Sequence, residues 1–200
     1  HDAEAGSIVS HTLEAMSRGG IYDHVGGGFH RYATDAQWRV PHFEKMLYNQ
    51  AQMLRLYAGA YAATADERWR LVSEGILSYV RREMVSPEGG FYSALDAESE
   101  HVEGKYYTWT EPQVRATLGD GRADTLLSLY GLAHVPEGEG SALYQGRGLE
   151  EAADDLGLTV PALRTVLDAA LTDLHEARRG RSYPLLDDKV ITAWNGMMIA

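Results

Sequence analysis

The sequence predicts a mostly α-helical chain with a small β-hairpin insertion. Apolar residues recur at spacings of three, four and seven over several long stretches, as in amphipathic helices. Residues 90–109 differ, because the aromatic, partly β-branched segments FYSAL and KYYTW flank an acidic loop, which favours a pair of short strands. Strands and helices do not alternate along the chain, so a doubly wound parallel sheet is not expected.

Three helices are predicted in the first half of the chain. The first covers residues 3–18, with Asp2 as its cap and one apolar side that begins with Ile8 and Val9. The second starts at Pro41, a residue suited to a first helical turn, and runs to about residue 64. Asp66 caps the third helix, which ends near Ser86.

The second half is predicted to be helical on both sides of a loop. Thr110 and Gln113 form a capping-box pattern that opens a helix ending at residue 119, and another helix covers residues 123–130. Residues 131–148 are glycine-rich and are expected to form a loop with a short strand at 142–145. Helices follow at 149–155 and 160–179, the second capped by Thr159. Its C-terminal arginines complement the helix dipole.

Composition excludes several classes of partner. The net charge of −11 disfavours nucleic acids and anionic membrane surfaces. No apolar run approaches the roughly 20 residues of a membrane span, and without cysteine there is no disulfide or thiolate site. We expect a cytoplasmic protein. The chain starts without Met and stops within an apolar helical pattern, so we expect a piece of a longer protein.

Residues 19–49, GGIYDHVGGGFHRYATDAQWRVPHFEKMLYN, carry the densest group of chemically active side chains. His24, His30, Arg31 and His42 can bind ligands or move protons, and Trp38 adds an aromatic surface. The structural alternative is that these side chains hold the glycine-rich loop of residues 19–40, the glycine loop, in shape. Glu44, placed in the first turn of the predicted helix, would complement its dipole or face a cavity.

Two further groups contain acidic residues. In the loop DAESEHVEG, Asp96 is the favoured functional carboxylate because it directly follows a predicted strand end, although acidic loops are often simply solvated. A calcium loop is not expected, since His101 stands where an EF-hand has glycine. In LDDKVITAWN, Asp187 and Asp188 suit a helix cap, whereas Trp194 and Asn195 suit a sugar site or core packing.

Three long motifs together resemble a known family. GGIYDHVGGGFHRYATDAQWRVPHFEKMLYNQAQ, GGFYSALDAESEHVEGKYYTW and LDDKVITAWNGMMIA are similar to the central region of the thioredoxin-like, spermatogenesis-associated protein family. The resemblance implies a partial (α/α)6 six-hairpin toroid, similar to those of N-acylglucosamine 2-epimerases and six-hairpin glycosidases. Residues 1–200 would form a single incomplete toroid domain, without the N-terminal thioredoxin-like domain and the rest of the toroid. The family usually has His at the position of Leu185.

The resemblance implies a carbohydrate-binding or carbohydrate-active cavity, epimerase-like or glycosidase-like. An epimerase would use histidine bases, and a hydrolase would pair Asp96 with Asp188 or Glu44. The expected catalytic residues are His30, His42, Asp96, Asp188 and Glu44. The expected substrate-binding residues are His24, Arg31, Trp38, Trp194 and Asn195.

The alternative function is a non-catalytic binding platform for the thioredoxin-like domain of the same parent chain. The expected partners are therefore a small sugar and that domain, and homo-oligomers would cover exposed apolar edges. No cofactor is expected. Metal binding is not expected either, because His42 and Glu44 would lie on different faces of a helix and no HExxH pattern occurs.

Overall fold

Eight helices and nine short strands form the computed structural model within the residues it describes, 3–136 and 138–200. The chain is thus mostly α with small antiparallel strand pairs, as the sequence predicts. The predicted cap Asp2 lies outside the described residues. The helices are α1 (Ala3–Arg18), α2 (Leu47–Thr64), α3 (Glu67–Glu83), α4 (Glu111–Leu118), α5 (Asp120–Leu129), α6 (Leu149–Asp155), α7 (Val160–Arg179) and α8 (Thr192–Ile199). The strands are β1 (Tyr32–Ala33), β2 (Pro41–His42), β3 (Lys45–Met46), β4 (Ala94–Leu95), β5 (Glu98–Ser99), β6 (Val102–Glu103), β7 (Tyr130–His134), β8 (Ser141–Gln145) and β9 (Leu186–Asp187).

The helices pack around two main apolar cores. α2 contacts α3 and α8, and the core beside them includes Tyr57 and Ile76. α7 contacts α4, α5 and α6 around a second core that includes Leu163. The glycine loop joins the two, since its Phe29 lies in the first core and its Val25 packs against the second. Side chains of this loop are therefore held from both sides.

Local capping chemistry is confirmed at three helix starts. Asp66 and Thr159 accept hydrogen bonds from the backbone of their first turns, and Thr110 forms the full capping box with Gln113. The apolar side predicted for α1 is narrower than expected, because Ile8 is 62% exposed.

The predicted start of the second helix at Pro41 is wrong, because α2 begins at Leu47. Residues 41–46 are extended, and their side chains alternate strictly between buried and partly exposed. β2 pairs with β1, and β3 pairs with β4. The apolar residues of this segment also match a helical spacing. The segment is nevertheless extended, because its backbone pairs with β1 and β4, and side chains of a strand alternate with a period of two residues.

The predicted hairpin between FYSAL and KYYTW is also placed differently. β4, in FYSAL, lies between β3 and β9 in a three-stranded sheet. The hairpin forms within the acidic loop, where β5 pairs with β6 across Glu100 and His101. Both turn residues have positive φ, 54° and 63°, as a tight two-residue hairpin turn requires.

Residues 131–148, expected to be mostly loop, contain a second hairpin. β7 pairs with β8 over five residues, so the short strand predicted at 142–145 is present and its partner is the segment assigned to loop. α8 begins at Thr192 with no side-chain cap, so Asp187 and Asp188 do not cap it. None of the helices in the described part of the chain has the length and apolar character to cross a membrane.

Candidate functional site

Successive side chains of residues 41–46 point to opposite faces of the extended segment, so its charged residues lie on two different faces. Lys45 points inward and is fully buried, whereas His42 and Glu44 point outward and are partly exposed. Two clusters form around these faces. The inner cluster consists of Asp23, His30, Lys45 and Arg178, and the outer cluster consists of Arg31, His42, Glu44 and Glu103.

The inner cluster is built around the Asp23 carboxylate. Lys45 Nζ donates to Asp23 Oδ2 at 2.7 Å, and the two terminal nitrogens of Arg178 donate to the two Asp23 oxygens at 2.9 Å each. Lys45 Nζ also donates to the carbonyl of Gly27 at 2.8 Å. Burial favours a neutral Asp23, but the charges of Arg178 and Lys45 prevail and hold its pKa well below its ordinary value. This cluster ties the glycine loop to β3 and α7.

Aromatic rings surround the two buried cations. Lys45 Nζ lies 4.3 Å from the centroid of Tyr79 and 5.0 Å from that of Tyr107, and Arg178 lies 5.1 Å from Tyr106. A cation held against ring faces away from water gains a larger cation–π attraction than an exposed one. Burial nevertheless lowers the pKa of Lys45 to about 8, against the opposing effect of Asp23.

Two of the predicted histidines belong to the structure of the loop. His30 is 2% exposed, and its Nδ1 donates to the carbonyl of Phe43 at 2.9 Å. Burial, followed by the charge of Lys45, lowers the pKa of His30 to about 3. His24 Nε2 donates to the carbonyls of Gly19 and Arg18 at 3.0 and 3.2 Å, and burial lowers its pKa to about 4. Both rings are therefore neutral near pH 7.

The outer cluster brings three predicted site residues together with one more carboxylate. Arg31 donates to Glu44 Oε2 at 2.8 Å, and His42 Nδ1 lies 2.7 Å from Glu103 Oε1. His42 Nε2 is 3.7 Å from Glu44 Oε2. The His42 ring therefore lies between two carboxylates, with Glu103 at Nδ1 and Glu44 near Nε2, an arrangement suited to acid–base chemistry.

An exposed aromatic ring lies against the outer cluster. The Tyr32 ring stacks on His42 with centroids 4.9 Å apart and an interplanar angle of 20°. Tyr32 is 48% exposed, so one face of its ring remains open to a ligand. Hydrogen bonds to Glu44, and next to Tyr48, raise the pKa of Arg31.

Asp96 shares the outward face of the three-stranded sheet. Lys45 and Leu95 are paired and buried, so Glu44 and Asp96, each one residue away, lie on the opposite side. Asp96 is exposed, and its Oδ1 accepts a hydrogen bond from the backbone of Glu98 at 3.0 Å. Asp188 is exposed on the segment after β9, and no hydrogen bond or ion pair joins it to the outer cluster.

Like His24, the three remaining predicted substrate-binding residues lie outside both clusters and have partners within the chain. Asn195 is buried, and its side-chain amide exchanges hydrogen bonds with the backbone of Phe91 at 2.8 and 3.0 Å. The Trp194 ring meets Tyr48 edge to face at 5.0 Å. Trp38 has a positive φ of 62°, and its carbonyl accepts the backbone hydrogen bond of Ile21.

Sequence reasoning missed the roles of Asp23, Lys45 and Arg178. A signal existed for Arg178, which continues the four- and seven-residue spacing of the buried positions Leu163, Leu167 and Leu174 on α7. Its position at the helix C-terminus predicts a charge that complements the helix dipole, whereas the structure buries it to 2% exposure. His42 and Glu44 were expected on different faces of a helix, which is wrong, because both precede α2 and share the partly exposed face of residues 41–46. Within residues 3–136 and 138–200, no three His, Asp or Glu side chains are grouped as ligands of a metal ion.

Comparison with known proteins supports the family resemblance. The chain is 42% identical over 224 residues to spermatogenesis-associated protein 20 of Homo sapiens. The aligned region covers 99% of this chain and 28% of the human protein. The mouse protein of the same name gives the same identity and coverage. An uncharacterized protein of Caenorhabditis elegans is 33% identical over 218 residues, covering 96% of this chain and 30% of its own length. No protein-family model matches the chain. The chain therefore spans under a third of the length of the curated relatives it matches.

Proposed function

We propose that this relative of spermatogenesis-associated protein 20 forms one wall of a carbohydrate site, and that the outer cluster contacts the sugar. The observation that carries the proposal is the His42–Glu103 pair, 2.7 Å apart, beside the open face of the Tyr32 ring. The resemblance to sugar-epimerase and glycosidase toroids supports the same class of ligand.

The outer cluster and the adjacent Tyr32 ring together offer the two kinds of contact that a sugar needs. The exposed face of Tyr32 can stack on the apolar C–H face of a pyranose ring. Arg31 and Glu44, held 2.8 Å apart at the rim, supply donors and acceptors for neighbouring hydroxyl groups. An aromatic surface with a few fixed polar groups is typical of small-molecule sites.

For an epimerase-like reaction, we assign the general base to His42. Its Nε2 would take the proton from the carbon next to the carbonyl of an open-chain sugar, while the C–H electron pair moves to form an enolate. Glu103 would hold the ring and stabilise its charged form. Asp96, on the same sheet face, would in its protonated form deliver a proton to the other side of that carbon. Solvent water would then reprotonate Asp96 and take up the proton held by His42. His30 is not assigned as a base, because it is buried and its pKa is about 3.

A second candidate function is binding without turnover. Its support is that Arg31 and His42 already have partners within the chain, Glu44 and Glu103, so the cluster is electrostatically complete without a substrate. In that case the chain would serve as a platform, and chemistry would belong to other parts of the parent protein.

The test is ligand binding followed by hydrogen exchange. Saturation-transfer NMR on the chain with a panel of mono- and disaccharides, amino sugars and uronic acids would find a sugar that binds. We expect Tyr32→Leu to weaken its binding at least about tenfold, or ~1.4 kcal/mol. His42→Gln should keep binding but abolish uptake of solvent deuterium at the carbon next to the carbonyl. His134→Gln, at an exposed position on β7, serves as the control.

The outcomes separate the two candidates. Sugar binding without deuterium uptake by the unmodified chain would support the platform. A panel without any bound sugar, or full affinity in Tyr32→Leu, would contradict the carbohydrate proposal.

A further inference from the structure

We propose that the cleft between α1 and the β7–β8 hairpin is a second binding site, for a small ligand that carries a phosphate or carboxylate group. The cleft has a volume of about 420 Å³, and its walls include Arg18, Arg39, Gln37, Tyr144 and Gln145. We call it the anion cleft. No residue of the outer cluster lines it, so this inference is independent of the carbohydrate proposal.

Arg39 is positioned for an anion but does not hold one within the chain. Its guanidinium carbon lies 4.5 Å from the centroid of the Tyr144 ring. Its side chain makes no hydrogen bond or ion pair to any residue that the structure describes, whereas Arg31 and Arg147 both bind carboxylates. In a chain of net charge −11, an oriented arginine without a carboxylate leaves its donors available to a ligand.

The platform beneath Arg39 is fixed by the hairpin. Tyr144 pairs in register with Gly131, and a Cβ at Gly131 would meet the Tyr144 ring at 2.4 Å. Glycine therefore lets the ring lie across β7, beneath the guanidinium. The backbone of Arg39 is held as well, since its N–H donates to Asp35 Oδ1 at 2.9 Å. The guanidinium therefore needs little reorganisation to bind.

The opposite wall adds a second positive charge. Arg18 has one carboxylate within reach, Glu14 at 3.7 Å, and Arg68 lies closer to the same oxygen at 3.3 Å. Glu14 also lines the cleft, but its carboxylate is shared between Arg18 and Arg68, so the two cleft arginines outnumber it. The carbonyls of Arg18 and Gly19, at the end of α1, accept hydrogen bonds from His24 Nε2, which reduces their repulsion of an anion.

These features indicate the class of ligand. Two guanidinium groups recognise the paired oxygens of a carboxylate or a phosphate ester. The side-chain amides of Gln37 and Gln145 can hydrogen-bond the uncharged part of the ligand. A cleft of about 420 Å³ lies in the size range of small-ligand pockets, roughly 300–1,000 Å³.

The experiment uses inorganic phosphate and acetate as probes of the whole chain. Titrations followed by NMR of backbone amides and arginine side chains, at constant ionic strength set with chloride, should shift the signals of Gly19, Arg39 and Gly146. We expect Arg39→Gln to weaken binding at least about tenfold. Tyr144→Leu, which removes the platform and keeps both charges, should weaken it less.

The matched control is Arg122→Gln, which removes an exposed arginine paired with Asp173 elsewhere. It should leave the affinity unchanged. Response to phosphate alone assigns a phosphate ester, and response to acetate assigns a carboxylate. Absence of shifts with both ions, or equal affinity in Arg39→Gln and the unmodified chain, overturns the anion cleft.

Discussion

The inner and outer clusters both contain residues of the segment 41–46, but the inner cluster is buried and the outer cluster is partly exposed. Lys45, in the inner cluster, is fully buried with its partner Asp23, which Arg178 also binds. Its neighbour Glu44, one residue away, lies at the surface and pairs with Arg31, whose side chain is 43% exposed. The strand geometry of residues 41–46 separates them, because successive side chains point to opposite faces.

This difference in burial determines whether a charged pair contributes to stability or is available for binding. A buried charge costs several kcal/mol to desolvate and must keep its partners. An exposed pair is screened by water, so it contributes little to stability and can exchange its partner for a ligand. We therefore expect the inner cluster to determine stability and the outer cluster to determine binding.

The largest effect should come from removing the central carboxylate of the inner cluster. Asp23→Ala leaves Lys45 and Arg178 buried without an opposite charge, and we expect a loss of about 3–5 kcal/mol in the free energy of unfolding. Urea denaturation measures this loss. Asp168→Ala, at an exposed position on α7, should change the free energy by less than about 0.5 kcal/mol. Similar losses of unfolding free energy in the two variants would contradict the conclusion that the inner cluster determines stability.

An intermediate effect should appear on acidification, through His30. Its pKa is about 3 in the folded chain, against an ordinary value of 6.5, so the unfolded chain binds a proton that the folded chain does not. Stability is therefore complete above pH 6.5 and falls as the pH drops toward 3. Between pH 7 and 5, His30 should account for a loss of about 2 kcal/mol.

Denaturation at pH 7 and pH 5 checks this contribution. His30→Gln retains a side-chain donor and should remove about that loss, whereas His134→Gln, at an exposed position, should not. His24, with a pKa of about 4, adds a loss of the same sign that both variants keep. Equal pH dependence in His30→Gln and the unmodified chain would show that His30 is not buried as a neutral ring.

The smallest effect should come from the outer cluster. Arg31→Gln and Glu44→Gln should each cost at most about 1 kcal/mol, since their 2.8 Å pair is partly solvated. A double-mutant cycle in urea gives the coupling energy between them, which should decrease at high salt. A coupling energy of several kcal/mol would show that this pair, like the pairs of Asp23, determines stability, and would contradict the distinction between the two clusters.

Much of the helical architecture could be predicted because its signals are local. The starts of α3, α4 and α7 depend on Asp66, Thr110 and Thr159, and each cap acts on backbone groups within three residues. The site was predicted less completely. The glycine loop was identified as rich in chemistry, but its histidines divide between a buried framework and an exposed cluster according to contacts that local patterns do not contain.

The sequence by itself determined the mostly helical class, the helix caps and the segments that carry reactive groups, because those properties depend on neighbours along the chain. Tertiary structure decided the extended conformation of residues 41–46, since the partners of β2 and β3 are in β1 and β4. It also decided the burial of Arg178, whose carboxylate partner Asp23 lies 155 residues away in sequence. A helical spacing and a strand alternation can coexist in one short segment, and the partners that the fold brings to it select between them.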